Sequence, residues 1–218
     1  IGIVMLLISG LGTTNGIREL IQRDFISGSI NIMNSFLGAA GIALGIALAM
    51  MIFDRTPMEA FMLAPGIPLQ LISCTIACTG FAMWFQVRGR QVFYSSVGAF
   101  ITWGIYALVY EIRPSNFLAT LIAAVFVGFY AYIMARINKA PSTIFLTASV
   151  FPLIPGPNLY YLLYGCVSND MDLAVSEGIL LFTTCLAIAF GFNIVDVVSR
   201  SITNALRKRN QNHVGGDF

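Results

Sequence analysis

PSTIFLTASVFPLIPGPNLYYLLYG, residues 141–165, runs 25 residues without a charge and is broken in its middle. A bilayer span needs about 20 predominantly apolar residues, so the stretch is long enough to cross one. Pro152, Pro155, Gly156 and Pro157 fall at its centre. Proline removes a backbone donor and its ring clashes with the preceding turn. In hydrocarbon the freed backbone groups need partners, so an unwound stretch survives only inside protein or beside a wet cavity. The reading is therefore a discontinuous membrane helix. Its second half begins near Pro155, Gly156 and Asn158, followed by Tyr160 and Tyr161. A half-helix start offers free amides and a positive dipole end, which suit a carboxylate. The bland alternative is a kink that only packs.

The same composition extends outward. Apolar blocks lie at roughly 1–22, 29–53, 67–87, 92–111, 115–136 and 173–199. Over the chain 57% of residues are hydrophobic and 10% are charged, and mean hydropathy is +0.82. A soluble domain carries about 25% charged residues, so this surface must face lipid. The expected fold class is all-α: a polytopic membrane protein of about seven transmembrane helices, with broken helices. The segment 54–66 reads either as an interfacial turn or as the start of the third helix. Ile1 is neither a methionine nor part of a basic leader, so further chain is expected upstream.

The basic residues give the spans a direction. With the C-terminus in the cytoplasm, ten of the 12 Lys and Arg residues fall on cytoplasmic segments. These are Arg18, Arg23, Arg88, Arg90, Arg136, Lys139, Arg200, Arg207, Lys208 and Arg209. Arg55 and Arg113 fall outside. The positive-inside rule favours this orientation, in the plasma membrane.

Two stretches match at a constant offset of 146 residues. Val4, Gly10, Asp24, Phe36 and Gly45 correspond to Val150, Gly156, Asp170, Phe182 and Gly191. One mate runs inward and the other outward, so the repeat is inverted. That build is common in secondary transporters, with the substrate near the repeat interface. Thr13, Thr14 and Asn15 are the polar residues after the first break.

Charge inside the spans is the other signal, because such groups are costly and often functional. Glu177 reads as an interfacial carboxylate in water or as a proton carrier in a cavity. Its repeat mate is Asn31. Asp196 is the second candidate for proton coupling; at i,i+4 from Arg200 it also fits a simple ion pair at the membrane edge. The four cysteines read as buried small apolar residues, and His213 as a solvated tail residue. No catalytic constellation, metal ligand set, P-loop or nucleic-acid-binding patch is present in the sequence, so neither an enzyme nor a cofactor is expected.

RINKAPSTIFLTASVFPLIPGPNLYYLLYGCVSNDMDLAVSEG resembles the second half of the threonine/serine exporter family. The resemblance rests on Arg136, Pro141, Ser142, Thr143, Pro152, Pro155, Gly156, Tyr160, Tyr161, Asp170, Glu177 and Gly178. TTNGIRELIQRDFISG resembles the end of that family's first half through Thr14, Asn15, Ile17, Arg18 and Glu19. Pro157 and Asn158 stand where the family usually has glycines, and Ser9 and Gly10 where the first half usually has Pro-Gly. The resemblance implies proton-coupled export of threonine or serine by two five-helix halves. Residues 1–53 would be the last two helices of the first half, and 54–218 the complete second half with a short cytoplasmic tail. Taken with the break and the charges inside the spans, the candidate substrate residues are Asn15, Pro155, Gly156, Asn158, Tyr160 and Tyr161, and the candidate proton-coupling residues Glu177 and Asp196. Dicarboxylate export is the alternative within transport; an assembly subunit without a substrate path is the alternative outside it. The implied partners are a small-molecule substrate, the lipid bilayer, and the N-terminal half or a second copy.

Overall fold

The computed structural model describes residues 10–53, 66–84, 87 and 89–214. Within them every regular element is helical: α1 (Gly10–Ile21), α2 (Phe25–Phe53), α3 (Ile67–Trp84), α4 (Arg90–Ile112), α5 (Asn116–Asn138), α6 (Ser142–Val150), one 3-10 turn (Phe151–Leu153), α7 (Gly156–Ser168) and α8 (Met171–Val214). Among the described residues, α4, α5 and the Met171–Ser201 part of α8 are long and apolar enough to cross a membrane. Ile67–Met83 and Ser142–Leu153 are shorter apolar helices. Ile72, Ile76, Phe93, Leu108, Ile133, Val175 and Phe182 point outward, as side chains solvated by lipid do. The chain is an all-α polytopic membrane protein. The uncertain segment 54–65 lies outside the described residues. The last helix does not stop near 199, as its apolar run suggests, but continues through the polar tail to Val214.

Small residues position the bundle. The buried face of α5 is Ala119, Thr120, Ala123, Ala124, Val127, Gly128 and Ala131. A Cβ at Gly191 of α8 would lie 2.7 Å from the Ala124 Cβ, and one at Gly128 would lie 2.8 Å from Val195 Cγ2. Such close approach supplies van der Waals contact where lipid leaves little hydrophobic drive between helices. These contacts advance together along both chains, so α5 and α8 run in the same sense. Thr14 meets Cys185 and Arg18 meets Asp196, so α1 runs with α8 as well. Tyr130 donates to the Tyr94 carbonyl and Tyr106 to Asn116, which makes α4 antiparallel to α5. Arg18, Arg90, Arg136, Lys139 and Arg200 therefore gather at one end of the bundle. Glu111 and Arg113 mark the other.

The repeat is physical. α2 and α8 start at Phe25 and Met171, 146 residues apart, after α1 and α7 end at Ile21 and Ser168. Arg23 and Asn169 both take left-handed backbone, with φ of 69° and 62°. Asp24 and Asp170 each cap the next helix, accepting from the N–H of Ser27 at 3.3 Å and of Leu173 at 3.1 Å. Since α1 runs with α8, and α7 turns back on α8, the mates α1 and α7 are inverted. Their hairpins interlock, α1 against α8 and α2 against α7. Ile17, Ala39, Leu159, Leu181 and Cys185 close the seam.

A polar cavity at the broken helix

The break forms where the prolines require it. A residue before proline is pushed out of the helical region, and Ile154 is extended (φ −70°, ψ 123°). Its N–H reaches back to the Phe151 carbonyl at 3.2 Å, and Gly156 N–H takes the Ile154 carbonyl at 2.8 Å. α7 then restarts with Pro157 in its first turn, where a missing N–H costs nothing.

A cavity of about 350 Å³ opens beside this break. One wall is Pro152, Pro155, Pro157 and Asn158; the other is Trp103, Tyr106, Asn116, Thr120 and Thr184 from α4, α5 and α8. Asn158 Nδ2 donates to Glu177 Oε2 at 2.7 Å, so the carboxylate stands behind a cavity-lining amide. Across the cavity, Asn116 Oδ1 accepts from Tyr106 Oη at 2.9 Å and from Thr120 Oγ1 at 3.5 Å. Asn116 Nδ2 donates to Thr184 Oγ1 at 2.8 Å. Trp103 stacks on Tyr106 with ring centroids 4.9 Å apart, which fixes that hydroxyl's wall.

Further along the α5–α8 seam the lining turns apolar, with Val127, Val150, Leu153, Ile188 and Phe192 packed together. Beyond them lies a second, small cavity of about 80 Å³ bordered by Tyr132, Ser142, Leu146 and the Arg18–Asp196 pair. Arg18 Nη2 donates to Asp196 Oδ2 at 2.6 Å, and its guanidinium lies 5.6 Å from the Phe192 ring centre. From Asn116 to Tyr132 is 16 residues of one helix, about 24 Å at 1.5 Å per residue.

The structure brings together some of the expected residues. Pro155 and Asn158 line the large cavity, Gly156 lies between them, and Glu177 is joined to them through Asn158. Tyr160 is buried in the interlocking seam and Tyr161 packs against it; neither lines the cavity. Asn15 is exposed on α1. Two local readings change. Asp196 pairs with Arg18, across 178 residues, rather than with Arg200 one turn on. Cys166 is exposed on α7, and Cys74 is half-buried; only Cys78 and Cys185 are fully buried. Trp103, Tyr106, Asn116, Thr120 and Thr184 escaped the sequence reading. Their available signal was polar spacing within apolar helices, Asn116 and Thr120 at i,i+4 above all.

Against known proteins, the family model "Threonine/Serine exporter, ThrE" matches residues 70–198, more than half of the chain. The chain belongs to the threonine/serine exporter family. A second model, "Putative threonine/serine exporter", matches residues 1–53. The chain is 23% identical over 209 residues to the "Threonine/serine exporter" of Corynebacterium glutamicum, covering 92% of this chain and 42% of that protein. It is 22% identical over 207 residues to a "Probable threonine/serine exporter" of Mycobacterium tuberculosis, covering 89% and 39%. It thus spans about two-fifths of the length of these relatives. No solved structure matches. The large cavity, from Trp103 to Thr184, falls wholly inside the exporter-family match, and Arg18 falls inside the second.

Proposed function

We propose that this chain forms the substrate path of a proton-coupled secondary exporter of small polar amino acids, threonine and serine foremost. The observation that carries this reading is the cavity at the broken helix, walled by neutral hydrogen-bonding side chains and backed by Glu177. At about 350 Å³ it sits at the small end of ligand pockets, which run from about 300 to 1,000 Å³. The start of α7 receives the substrate carboxylate, with Asn158 beside it. Among the described residues no Arg or Lys lines the cavity, which favours a zwitterion over a dicarboxylate. A break that borders a cavity rather than a dry core also disfavours a purely structural subunit.

Coupling passes through Asn158. An ionised Glu177 accepts from its Nδ2; a protonated one is a weaker, neutral acceptor that also carries an O–H donor, which loosens its hold on the amide and lets Asn158 turn toward substrate. Asp196, held by Arg18, belongs to closure of the other end. The apolar cluster and that ion pair seal the basic end while the large cavity stands toward the opposite one, one face of an alternating-access cycle. The basic end, with the C-terminus, is cytoplasmic, in the plasma membrane. Residues 1–53 supply the end of one five-helix half and 54–218 the other; the rest of the first half, or a second copy, completes the assembly.

The test is transport in proteoliposomes with the intact protein. An imposed pH gradient is expected to drive labelled threonine and serine, with little counterflow of succinate. Succinate movement without threonine movement would overturn the amino-acid reading.

A further inference from the structure

The small cavity at the basic end carries the charge pattern of an amino-acid head group. It is bordered by one cation and one anion, Arg18 from the first hairpin and Asp196 from the second. They touch through one atom each, Nη2 on Oδ2. Arg18 Nη1 and Asp196 Oδ1 make no bond among the described residues. Of the pair's side-chain nitrogens and oxygens only Arg18 Nε is buried without a partner, so Nη1 and Oδ1 stay open to solvent. The two side chains are 27% and 38% exposed, so small solutes reach the pair while the apolar cluster beyond it is closed. Ser142, the first residue of α6, brings a hydroxyl to the same cavity.

The free half of a guanidinium beside the free half of a carboxylate selects by charge. A lone anion bonds to Arg18 but meets the Asp196 carboxylate. A lone cation bonds to Asp196 but meets the guanidinium. A zwitterion satisfies both, because its carboxylate and ammonium sit on one carbon and can lie antiparallel to the pair. We propose that Arg18 and Asp196 form a binding site for the zwitterionic head group of α-amino acids, at the end of the bundle opposite the large cavity. The carboxylate accepts from Arg18 Nη1 and the ammonium donates to Asp196 Oδ1. At about 80 Å³ the cavity equals two to three waters of about 30 Å³ each, which is room for a head group with its side chain left at the mouth. The site therefore reads the head group alone. On the exporter reading above, this is where substrate is first taken up; the head-group preference does not rest on that reading.

The test is protection of a cysteine in this cavity, Leu146→Cys, from a small thiol reagent in the purified intact protein at constant ionic strength, with Cys74, Cys78, Cys166 and Cys185 replaced. Glycine, alanine and serine are expected to slow labelling saturably, with half-effects within about threefold of one another. Propionate and alaninamide keep one charge each and should need at least about tenfold more, the loss of one bond between charged groups. Asp196→Asn should bring the zwitterions down to the level of propionate and leave propionate no weaker. Arg18→Gln should bring them down to the level of alaninamide, and serves if the first variant fails to fold. A packing defect alone would weaken every ligand alike, so that result overturns the site. So does labelling that zwitterions leave unchanged or accelerate, or protection that both variants retain; each leaves the exporter reading standing. Protection that follows head-group charge, without threonine or serine flux in proteoliposomes, keeps the site and overturns the exporter reading.

Discussion

Removing the Arg18 guanidinium should loosen the bundle at its basic end, and the size of the effect follows from two contacts. The bond to Asp196 is short, but the side chains are 27% and 38% exposed. An ion pair that wet is worth about 0.5–1 kcal/mol. The guanidinium also lies 5.6 Å from the Phe192 ring centre, a cation–π contact worth about 0.5–1 kcal/mol. Arg18→Ala loses both, about 1–2 kcal/mol, which shifts the closed–open equilibrium about 5- to 30-fold. Asp196→Asn loses only the first and should shift it about 2- to 5-fold. The assay is thiol labelling of Leu146→Cys, which borders the small cavity, in a background with the four native cysteines replaced by serine or alanine. While closure is faster than labelling, the rate tracks the open fraction. Arg18→Ala should label faster than Asp196→Asn, and both faster than the parent. Exchanging the pair, Arg18→Asp with Asp196→Arg, should recover part of the protection. The gate is refuted if Arg18→Ala labels at the parent rate, or if Asp196→Asn opens the site more than Arg18→Ala does.

Three further outcomes are expected. Glu177→Gln keeps an oxygen for Asn158 but cannot carry a proton, so threonine counterflow should persist while pH-driven movement falls at least about tenfold; loss of both would assign Glu177 to folding or binding. Glu19→Gln, in the other hairpin, should leave pH-driven transport within about twofold, because Glu19 binds Ser27 and Asn31 and borders neither described cavity; proteoliposome flux measures it directly. Gly98→Ala would place a Cβ onto Ser149 Oγ and 2.6 Å from Tyr130 Cε1, overpacking α4 against α5 and α6 by about 1–3 kcal/mol. Gly80→Ala meets open space, so it should hold or raise the melting temperature that Gly98→Ala lowers.

The apolar helices and the sidedness of their basic residues could be read early because lipid imposes both. Length, apolarity and sided charge are one-dimensional properties, and the structure keeps them: Arg18, Arg136 and Arg200 share an end. The break was legible for the same reason, since Pro152, Pro155 and Pro157 act on their own backbone. What faces the break was not. A membrane helix is apolar toward lipid and toward its neighbours alike, so periodicity does not say which side of α5 carries Asn116 and Thr120 inward. Tyr160 and Tyr161 lie next to the break in sequence, yet the turn of α7 carries Tyr160 into the seam with Ile17 and Cys185. Asp196 shows a local rule losing to a distant one. Arg200 was available one turn away, but the interlocked hairpins bring in Arg18.

The two hairpins keep their geometry and exchange their chemistry. At one crossing Gly16 of α1 faces Ile32 of α2; at the mated crossing Leu162 of α7 faces Gly178 of α8. One small residue suffices for close approach, and it sits on opposite helices in the two copies. The polar bridge is exchanged in the same way. Asn31 on α2 donates to Glu19 on α1, whereas Asn158 on α7 donates to Glu177 on α8. Glu177 occupies the position of Asn31, so the carboxylate has moved from the first helix of the hairpin to the second. Only in the second copy does the amide then fall on the helix that restarts after the prolines, where it borders the cavity. An inverted repeat makes the two faces of a transporter nearly equivalent. This exchange makes the two hairpins chemically different, and it leaves Glu177, not Glu19, as the carboxylate bonded to a cavity-lining amide.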